Sequence, residues 1–484
     1  MTSQFNPLIT RGVAALLALL ISSIALASDG ALDGRYGASG RVTVYYDLGG
    51  TNADQAFGTA QQSDGRLVVV GSAAVPNAVY TSNKDVAISR LRGDGSLDTT
   101  FATQGRFSYS FNFPGFCANE DIARAVGIQS DGKIVVVGTA SCNPNNTSGS
   151  SLFVMRLLSN GTLDPGFGSN GVVIQANDNY ALGGTGVALY GNYIMVAGFV
   201  DYPGQSGPLL WVFNGSGQLV TLSGPFVADA GSRATSISVD QLGAVTLSGY
   251  YSIAAAGSGH TNGYDCFVER LVPNILNGTY SSDPSFGTGG RVSIAYSFPG
   301  GNGDDRCYAH AVDGNGRIIV VGETSKDSSG GSFASISRLT STGSRDFGFS
   351  GNLFGFEIDY NLLGAINSAR AVAIRTDNRI VVAGYGSTGD LARAPFDFGI
   401  VRFKVDGGAD TSFQGSEPGA RPGLAMIGFE SSNRGTDDGT FAMALDKANR
   451  VYVVGQHQYS GADYDIALAR LQSDAIFVDG FESP

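Results

Sequence analysis

The sequence predicts an all-β fold, a seven-bladed β-propeller built from four-stranded antiparallel blades. One motif carries this prediction, a stretch whose best copy runs from Asp121 to Gly138 (DIARAVGIQSDGKIVVVG). A unit repeated at long intervals indicates a stacked or closed repeat architecture. Each copy also contains four short segments rich in Val, Ile and Phe, which is a strand pattern, and no sustained helical period. Seven variants occur, and each closes on a glycine: Gly71, Gly138, Gly198, Gly249, Gly322, Gly384 and Gly455.

Every copy has the same order of segments, here named A to D with A innermost. In the best copy, A covers 123–128, B covers 134–137, C covers 152–158 and D covers 172–174. An Asp-Gly pair such as Asp131-Gly132 joins A to B, and such pairs favour two-residue hairpin turns. Four antiparallel strands per unit describe a propeller blade. A β-helix or open solenoid is the alternative, but its coils are shorter and lack a hairpin in every copy.

The two ends of the chain predict how the ring closes. The last copy stops after its C segment, 465–471, whereas residues 32–46 supply a turn and a D segment with no A, B or C before them. We therefore expect 41–46 to pair beside 465–471, which removes exposed sheet edges. The propeller then occupies 28–474. The short A–B and C–D turns lie on one face, and the variable B–C and D–A connections lie on the other, where function usually resides.

Composition narrows the range of partners. The chain has 484 residues, 70 of them glycine, and a net charge of −12. A nucleic-acid-binding protein would show a basic face, so nucleic acid is excluded as an expected partner. We expect a monomer, with no cofactor.

The N-terminus resembles a secretion signal. Arg11 precedes an apolar run over 13–27, and Ala25-Leu26-Ala27 forms a small-residue cleavage site. Residues 1–27 are therefore predicted to be a signal peptide, with a retained anchor as the alternative. The mature protein would carry no membrane span and would lie in the periplasm, outside the cell or at the cell surface.

Export exposes the four cysteines to an oxidising compartment. Four cysteines allow three sets of pairings. The repeat places all four at the variable face. Cys117 and Cys142 belong to one blade, and Cys266 and Cys307 belong to adjacent blades. We therefore predict the disulfides Cys117–Cys142 and Cys266–Cys307.

The turn motif DGxLDxxFGxxG, followed by AxAxxxDGKIVVVG and FxxxRL, resembles the delta-60 repeat family of bacterial secreted proteins. The resemblance covers about residues 32–474 and is strongest around Gly71, Gly138, Gly322 and Gly384. It implies a β-propeller and no particular activity. The last residues, 475–484, resemble an IFxDGFE ending found on secreted proteins of some Gram-negative bacteria. That ending indicates a sorting or attachment role, with a frayed terminus as the alternative.

Two residue types recur at fixed places in the repeat. An arginine on segment C and an aspartate in the turn after it lie eight residues apart in four blades. They predict a structural ion pair in each blade, because arginine suits buried bidentate pairing; a ligand-binding ring is the alternative. The turn phenylalanines are expected to pack between blades. The arginines are Arg90, Arg156, Arg270, Arg338, Arg402 and Arg470, the aspartates Asp98, Asp164, Asp283, Asp346 and Asp410, and the phenylalanines Phe101, Phe167, Phe286, Phe349 and Phe413.

Acidic residues gather where segment A begins. They could ring the channel mouth and bind calcium, but loop solvation and turn-forming hydrogen bonds are the simpler interpretation, and no contiguous calcium loop occurs. The histidines His260, His310 and His457 lack metal-ligand spacing, so no metal site is predicted. The acidic residues are Asp54, Glu120-Asp121, Asp304-Asp305 and Asp437-Asp438.

The candidate binding residues lie in the copies that keep the pattern least, those around Gly198 and Gly249. Aromatic residues in variable loops suit contacts with sugars or peptides; ordinary packing in decayed repeats is the alternative. We expect an exported, non-catalytic binding or surface-interaction module for a glycan or protein ligand. The alternative is an extracellular polysaccharide hydrolase or lyase with carboxylates at the channel mouth. The candidates are Tyr202, Tyr250, Tyr251, His260 and Tyr264.

Overall fold

Seven antiparallel sheets surround a central channel, as predicted, and each innermost strand contacts the innermost strands of its two neighbours. The computed structural model describes residues 29–46, 48, 53–76, 83–111, 120–143, 146–202, 205–224, 231–252, 263–274, 278–296, 304–325, 332–349, 356–358, 367–387, 396–418, 420–429, 437–460 and 463–473. The predicted signal peptide, the C-terminal tail, Cys117 and His260 lie outside this range. This part of the chain contains no helix that is long and apolar enough to cross a membrane.

The strands of each blade follow one another from the channel to the rim. The first strand of the chain is β1 (Arg41–Val44). Blade 1 contains β2 (Gln55–Gln61), β3 (Leu67–Ala74), β4 (Lys84–Leu91) and β5 (Arg106–Tyr109). Blade 2 contains β6 (Asp121–Ile128), β7 (Ile134–Asn143), β8 (Asn146–Leu157) and β9 (Val172–Gln175). Blade 3 contains β10 (Ala181–Tyr190), β11 (Tyr193–Tyr202), β12 (Gln205–Phe213) and β13 (Leu219–Ser223).

Blade 4 differs from the others by one strand, because its long third strand pairs with two short ones. It contains β14 (Arg233–Val239), β15 (Val245–Ser252), β16 (Tyr264–Asn274), β17 (Thr279–Ser282) and β18 (Arg291–Ile294), of which β17 and β18 both pair with β16. Blade 5 contains β19 (Asp305–Val312), β20 (Ile318–Ser325), β21 (Ser332–Leu339) and β22 (Phe356–Ile358). Blade 6 contains β23 (Asn367–Ile374), β24 (Ile380–Ser387), β25 (Phe396–Phe403) and β26 (Leu424–Ile427). Blade 7 contains β27 (Asp438–Leu445), β28 (Val451–Ser460) and β29 (Asp463–Leu471).

The N-terminal segment completes blade 7, as the split repeat predicts. Strand β1 pairs antiparallel with β29, with Arg41 opposite Ala469. Before it, the backbone N–H of Gln472 donates to the Ala31 carbonyl (2.8 Å), and the N–H of Asp33 donates to the Arg470 carbonyl (2.8 Å). These bonds rebuild the C–D turn of the other blades from two distant pieces of chain. The ring is therefore closed by hydrogen bonds and not only by packing.

The hydrophobic core is divided among the seven seams between neighbouring blades. In β3, Val68 and Val70 pack toward blade 2, whereas Leu67 and Val69 pack toward blade 7. Side chains alternate across a strand, so a B strand buried on both faces needs apolar residues at every position. This explains the unbroken aliphatic run in the repeat.

The recurrent arginines stabilise these seams. Arg402 is fully buried and donates from Nε to Asp410 of its own turn (2.7 Å) and from Nη1 to Asp29 of the next blade. Arg156 donates to Asp164 (2.8 Å) and to the Gly215 carbonyl of blade 3 (2.6 Å). The same pattern of one bond to the own turn and one to the next blade recurs at Arg90, Arg270, Arg338 and Arg470.

The turn phenylalanines lie in the same seams, as predicted. Phe101 is buried and its ring contacts Gly161 in the turn of blade 2, and Phe413 contacts Gly30 in the same way. The seam between blades 3 and 4 departs from this pattern, since Val212 takes the register position of the arginine. There Tyr190 donates instead to the Gln241 carbonyl of blade 4 (3.2 Å).

The disulfide predicted between blades 4 and 5 is present, joining Cys266 of β16 to Cys307 of β19. The pairing predicted for Cys117 and Cys142 falls outside the described residues. At the same seam, the imidazole of His310 is buried between two hydroxyls of blade 4, Ser238 and Ser248, each 2.8 Å away. Blades 4 and 5 are thus joined by a covalent bond and a buried polar group.

Candidate functional site in the central channel

The glycine that defines the repeat has a structural role at the channel. In blade 1, Gly71 of β3 pairs with Ala56 of β2, directly before a β-bulge. A Cβ at Gly71 would lie 1.8 Å from the Gln55 carbonyl oxygen, and one at Gly138 would lie 2.0 Å from the Ile122 carbonyl oxygen. Only glycine admits such an approach. The corresponding contact is 2.0 Å or shorter in all seven blades.

The bulge leaves one residue of each innermost strand without a ladder partner. The unpaired residue follows a small residue, and all seven line the same cavity. Bulges re-aim side chains and are frequent beside binding sites. The repeat glycine accommodates this bulge, and the bulge directs the side chain of the unpaired residue of each blade into the channel. From blade 1 to blade 7 this bulge ring consists of Phe57, Arg124, Thr185, Thr235, Tyr308, Arg370 and Phe441.

The cavity extends from the bulge ring toward the variable-loop face, on the side of blades 2 to 4. Its volume of about 520 Å³ lies in the range of small-ligand sites. The small ring residues of blades 3 and 4, Thr185 and Thr235, leave this side open, and their hydroxyls donate to backbone carbonyls of the next blade. The remaining lining residues are Glu120, Ile122, Thr139, Ser141, Phe199, Arg233 and Tyr250.

On one side of the ring, Arg370 and Tyr308 form a fixed pair. The Arg370 guanidinium lies 3.7 Å from the centroid of the Tyr308 ring and donates to the Tyr385 hydroxyl (2.8 Å). The Tyr308 hydroxyl donates to Glu323 (2.5 Å). Burial raises the pKa of Tyr308, so this phenol keeps its proton and acts as a donor. Nε of Arg370 is buried without a hydrogen-bond partner in the described part of the chain.

On the opposite side, Arg124 lies against Phe57, with its guanidinium 4.7 Å from the ring centroid. Phe57 in turn contacts Phe441 at 5.4 Å between centroids. Burial lowers the pKa of Arg124, and the nearby Glu120 carboxylate offsets part of that effect. Within the described ranges no carboxylate lies within ion-pair distance of Arg124, so its charge is only partly compensated.

Two further arginines lie at the mouth above the ring. Arg233 forms a bidentate pair with Asp201 and stacks on Phe199, 3.9 Å from its centroid. Arg306 pairs with Asp304 (3.2 Å) and lies 4.6 Å from the centroid of the Tyr264 ring. The mouth thus combines guanidinium groups with aromatic faces.

The structure brings together only some of the binding residues proposed from the sequence. Tyr250 lines the cavity, and the ring of Tyr264 packs edge-on against it at 5.3 Å. Tyr251 lies on the other face of β15 and donates to Ser293 (3.1 Å), because successive residues of a strand face opposite sides. Tyr202 ends β11, and only its backbone is described. His260 lies outside the described residues.

The aspartates at the start of the innermost strands form turn hydrogen bonds, the interpretation that the sequence favours. Asp54, Asp121, Asp305 and Asp438 are buried, and each accepts a hydrogen bond from the backbone N–H of the second residue after the preceding outermost strand. Burial raises the pKa of both Asp121 and Asp305 to about 7. These carboxylates hold the D–A connections and do not line the cavity. Their neighbours Glu120 and Asp304 lie near the mouth, together with the Asp201 carboxylate that Arg233 binds.

In the described residues, no group of three or more His, Cys, Asp or Glu side chains could hold a metal ion. Calcium binding is the less favoured interpretation of the acidic residues in the sequence, and it stays untested.

Four segments match a family model described as "Domain of unknown function (DUF5122) beta-propeller". They cover residues 62–101, 129–167, 314–349 and 375–413, which belong to blades 1, 2, 5 and 6. These are the blades in which the repeat pattern is strongest. The match supports a propeller repeat family, and no curated protein matches the chain.

The chain also aligns with several solved structures at low sequence identity. The α-L-arabinofuranosidase Arb93A from Fusarium graminearum aligns at 9% identity and a TM-score of 0.43, over 90% of this chain and 97% of that one. Polysaccharide lyase Uly1 aligns at 9% identity and 0.44, over 86% and 90%. Sqt1 from Chaetomium thermophilum aligns at 14% identity and 0.39, over 89% and 98%. These values carry no inference about what this chain binds.

Proposed function

We propose that the protein is an exported, non-catalytic binding module that takes its ligand into the variable-loop mouth of the central channel. The observation that supports this most is the bulge ring, in which one side chain per blade faces one cavity. Groups held by closed sheets are rigid before the ligand arrives, so little ordering free energy is lost on binding. Export is supported by the N-terminal signal pattern and the disulfide between Cys266 and Cys307.

Glu120 favours one alternative, an extracellular polysaccharide hydrolase or lyase, because it places a carboxylate in the lining. A glycosidase uses two carboxyl groups flanking the scissile bond, separated by about 5 to 9.5 Å. The buried carboxylates of Asp121 and Asp305 accept hydrogen bonds from backbone N–H groups. They therefore do not provide the second acid for such a reaction.

A glycan array with the mature protein, followed by turnover assays on every hit, separates the two functions. A binding module retains its ligand unchanged, and replacing Tyr250 with alanine weakens binding, since this ring lines the mouth. Release of new reducing ends or unsaturated products, abolished by Glu120→Gln, would establish the enzyme instead. A protein that binds no glycan or other ligand through this mouth contradicts the proposal.

A further inference from the structure

The charges of the channel arginines are compensated to very different degrees. Arg233 has a bidentate carboxylate, and Arg370 has Glu323 at 3.5 Å together with a phenol. Arg124 has the Phe57 ring and, in the described ranges, neither an ion pair nor a hydrogen bond. A guanidinium that is partly removed from water without a counter-charge is unfavourable, and a bound anion would supply that charge.

The surroundings of Arg124 restrict what kind of anion fits. Phe57 and Phe441 lie side by side in the ring, and Tyr308 and Tyr250 line the same cavity. Aromatic faces accept flat apolar surfaces, and the axial C–H face of a sugar ring is one. Guanidinium groups bind carboxylates through two parallel hydrogen bonds. A sugar that carries a carboxylate presents both surfaces at once.

The negative net charge of the protein means that an acidic ligand has to be recognised by short-range contacts. At −12, the long-range field repels polyanions. An acidic ligand must therefore be recognised by local contacts in the cavity. Of the three lining arginines, Arg233 and Arg370 are paired with Asp201 and Glu323, so Arg124 is the one whose charge is available to an anion.

We propose that the channel mouth binds an acidic sugar, with the guanidinium of Arg124 contacting the carboxylate of a uronate residue whose ring packs against the aromatic pair Phe57 and Phe441. The inference rests on the proposed function and specifies its ligand class. An acidic peptide would present a carboxylate without the flat sugar face, and a sulfated neutral sugar would present an anion of different geometry.

Calorimetry with size-matched probes tests the proposal. The probes are a trigalacturonate, its fully methyl-esterified neutral form, a sulfated neutral trisaccharide and a glutamate tripeptide. The acid trisaccharide is expected to bind, and esterification is expected to weaken binding at least about 10-fold. Arg124→Gln should weaken binding of the acid form by about 10- to 100-fold, the range for a hydrogen bond to a charged group.

Arg92→Gln is the matched control, because it removes one positive charge from an exposed C–D turn on the other face of the propeller. It should leave the affinity unchanged, and thermal unfolding should show that both variants are folded. Tight binding of neutral glycans that is insensitive to Arg124→Gln overturns the acidic-sugar inference and leaves the binding module intact. Preference for the sulfated sugar or the peptide also overturns it. Failure of all glycans and peptides to bind overturns the proposed function as well.

Discussion

The arginines of the seams and the arginine of the bulge ring have the same side chain in two different settings. Arg402 in the seam is fully buried between two carboxylates, Asp410 and Asp29. Arg124 in the ring is half-buried, stacks on Phe57 and has no carboxylate within ion-pair distance in the described part of the chain. Both guanidinium groups lie over an aromatic ring, at 5.0 Å from Phe413 and 4.7 Å from Phe57.

This difference separates structural charge from charge available to a ligand. Where each charged atom has a partner inside the fold, the residue stabilises the closed ring and offers nothing to another molecule. Where a partner is missing, the partly desolvated charge destabilises the fold, and a bound anion can offset that loss. The structural arginines recur at the same position of the repeat, whereas the arginine available to a ligand lies at a position that differs from blade to blade.

The largest expected effect comes from breaking a seam arginine. Arg402→Gln removes the buried guanidinium from both Asp29 and Asp410, although Asp410 keeps Arg379 at 3.1 Å. The free energy of unfolding should therefore fall by about 3 kcal/mol, the lower end of the range for breaking a buried ion pair. Although burial alone would raise it, the Ser412 hydroxyl and the Arg402 guanidinium hold the pKa of Asp410 below its ordinary value, which shows that the ionised pair is the folded form. Urea denaturation of the mature protein measures the loss.

Arg270→Gln is the matched control for that experiment. Its guanidinium makes the same pair with Asp283 at 3.3 Å, but its side chain is 30% exposed. Pairs that remain in contact with water contribute about 1 kcal/mol or less. Equal losses for the two variants would show that seam position, rather than burial of the pair, determines the contribution.

A second effect should appear as a pH dependence at the seam between blades 4 and 5. His310 lies two residues beyond Tyr308 on the same strand, yet it points into the seam, where burial lowers its pKa to about 4. The folded state keeps the neutral imidazole, while the unfolded chain takes up a proton below pH 6.5. The stability from this group is complete above pH 6.5 and is lost as the pH falls toward 4, by up to about 3 kcal/mol.

Comparison of the wild type with His310→Asn isolates this effect. Asp121 and Asp305, whose pKa values are raised to about 7, contribute the opposite slope, since their protonated forms favour the fold and stability declines as the pH rises through 4 to 7. Both aspartates are present in each protein, so their slopes cancel in the difference. A difference in unfolding free energy that stays constant from pH 4 to 7 would contradict a neutral buried histidine.

The sequence was sufficient for the architecture because the fold depends on local, repeated signals. The unbroken Val-rich run of β3, the Asp-Gly turns and the split seventh repeat each predict a feature that the structure contains. The Arg–Asp pairs were also predicted, because an arginine that recurs in six of the seven blades indicates a structural requirement that recurs with it.

The site was predicted only in part, because the bulge is a feature of strand pairing. Tyr250 was found through its loop-end position, whereas Phe57, Arg124 and Tyr308 were not singled out. A rule could have found them: the ring residue lies fourteen positions before the repeat glycine, or thirteen in blade 3. The rule can be applied only once the structure shows that the repeat glycine packs against a backbone carbonyl beside a β-bulge. The hydrogen-bonding role of the buried aspartates agrees with the favoured interpretation of the sequence, but the sequence does not show which backbone donors they face.

The smallest expected effect is the one that tests the comparison most directly. Arg124→Gln removes a charge that has no ion pair, loses one cation–π contact worth about 0.5 to 1 kcal/mol and relieves the cost of burying an uncompensated cation. The free energy of unfolding should therefore change by less than about 1 kcal/mol, in contrast to Arg402→Gln under the same conditions. A loss as large as that of Arg402→Gln would show that the bulge ring is part of the structural network, and the cavity would lose its strongest claim to a ligand.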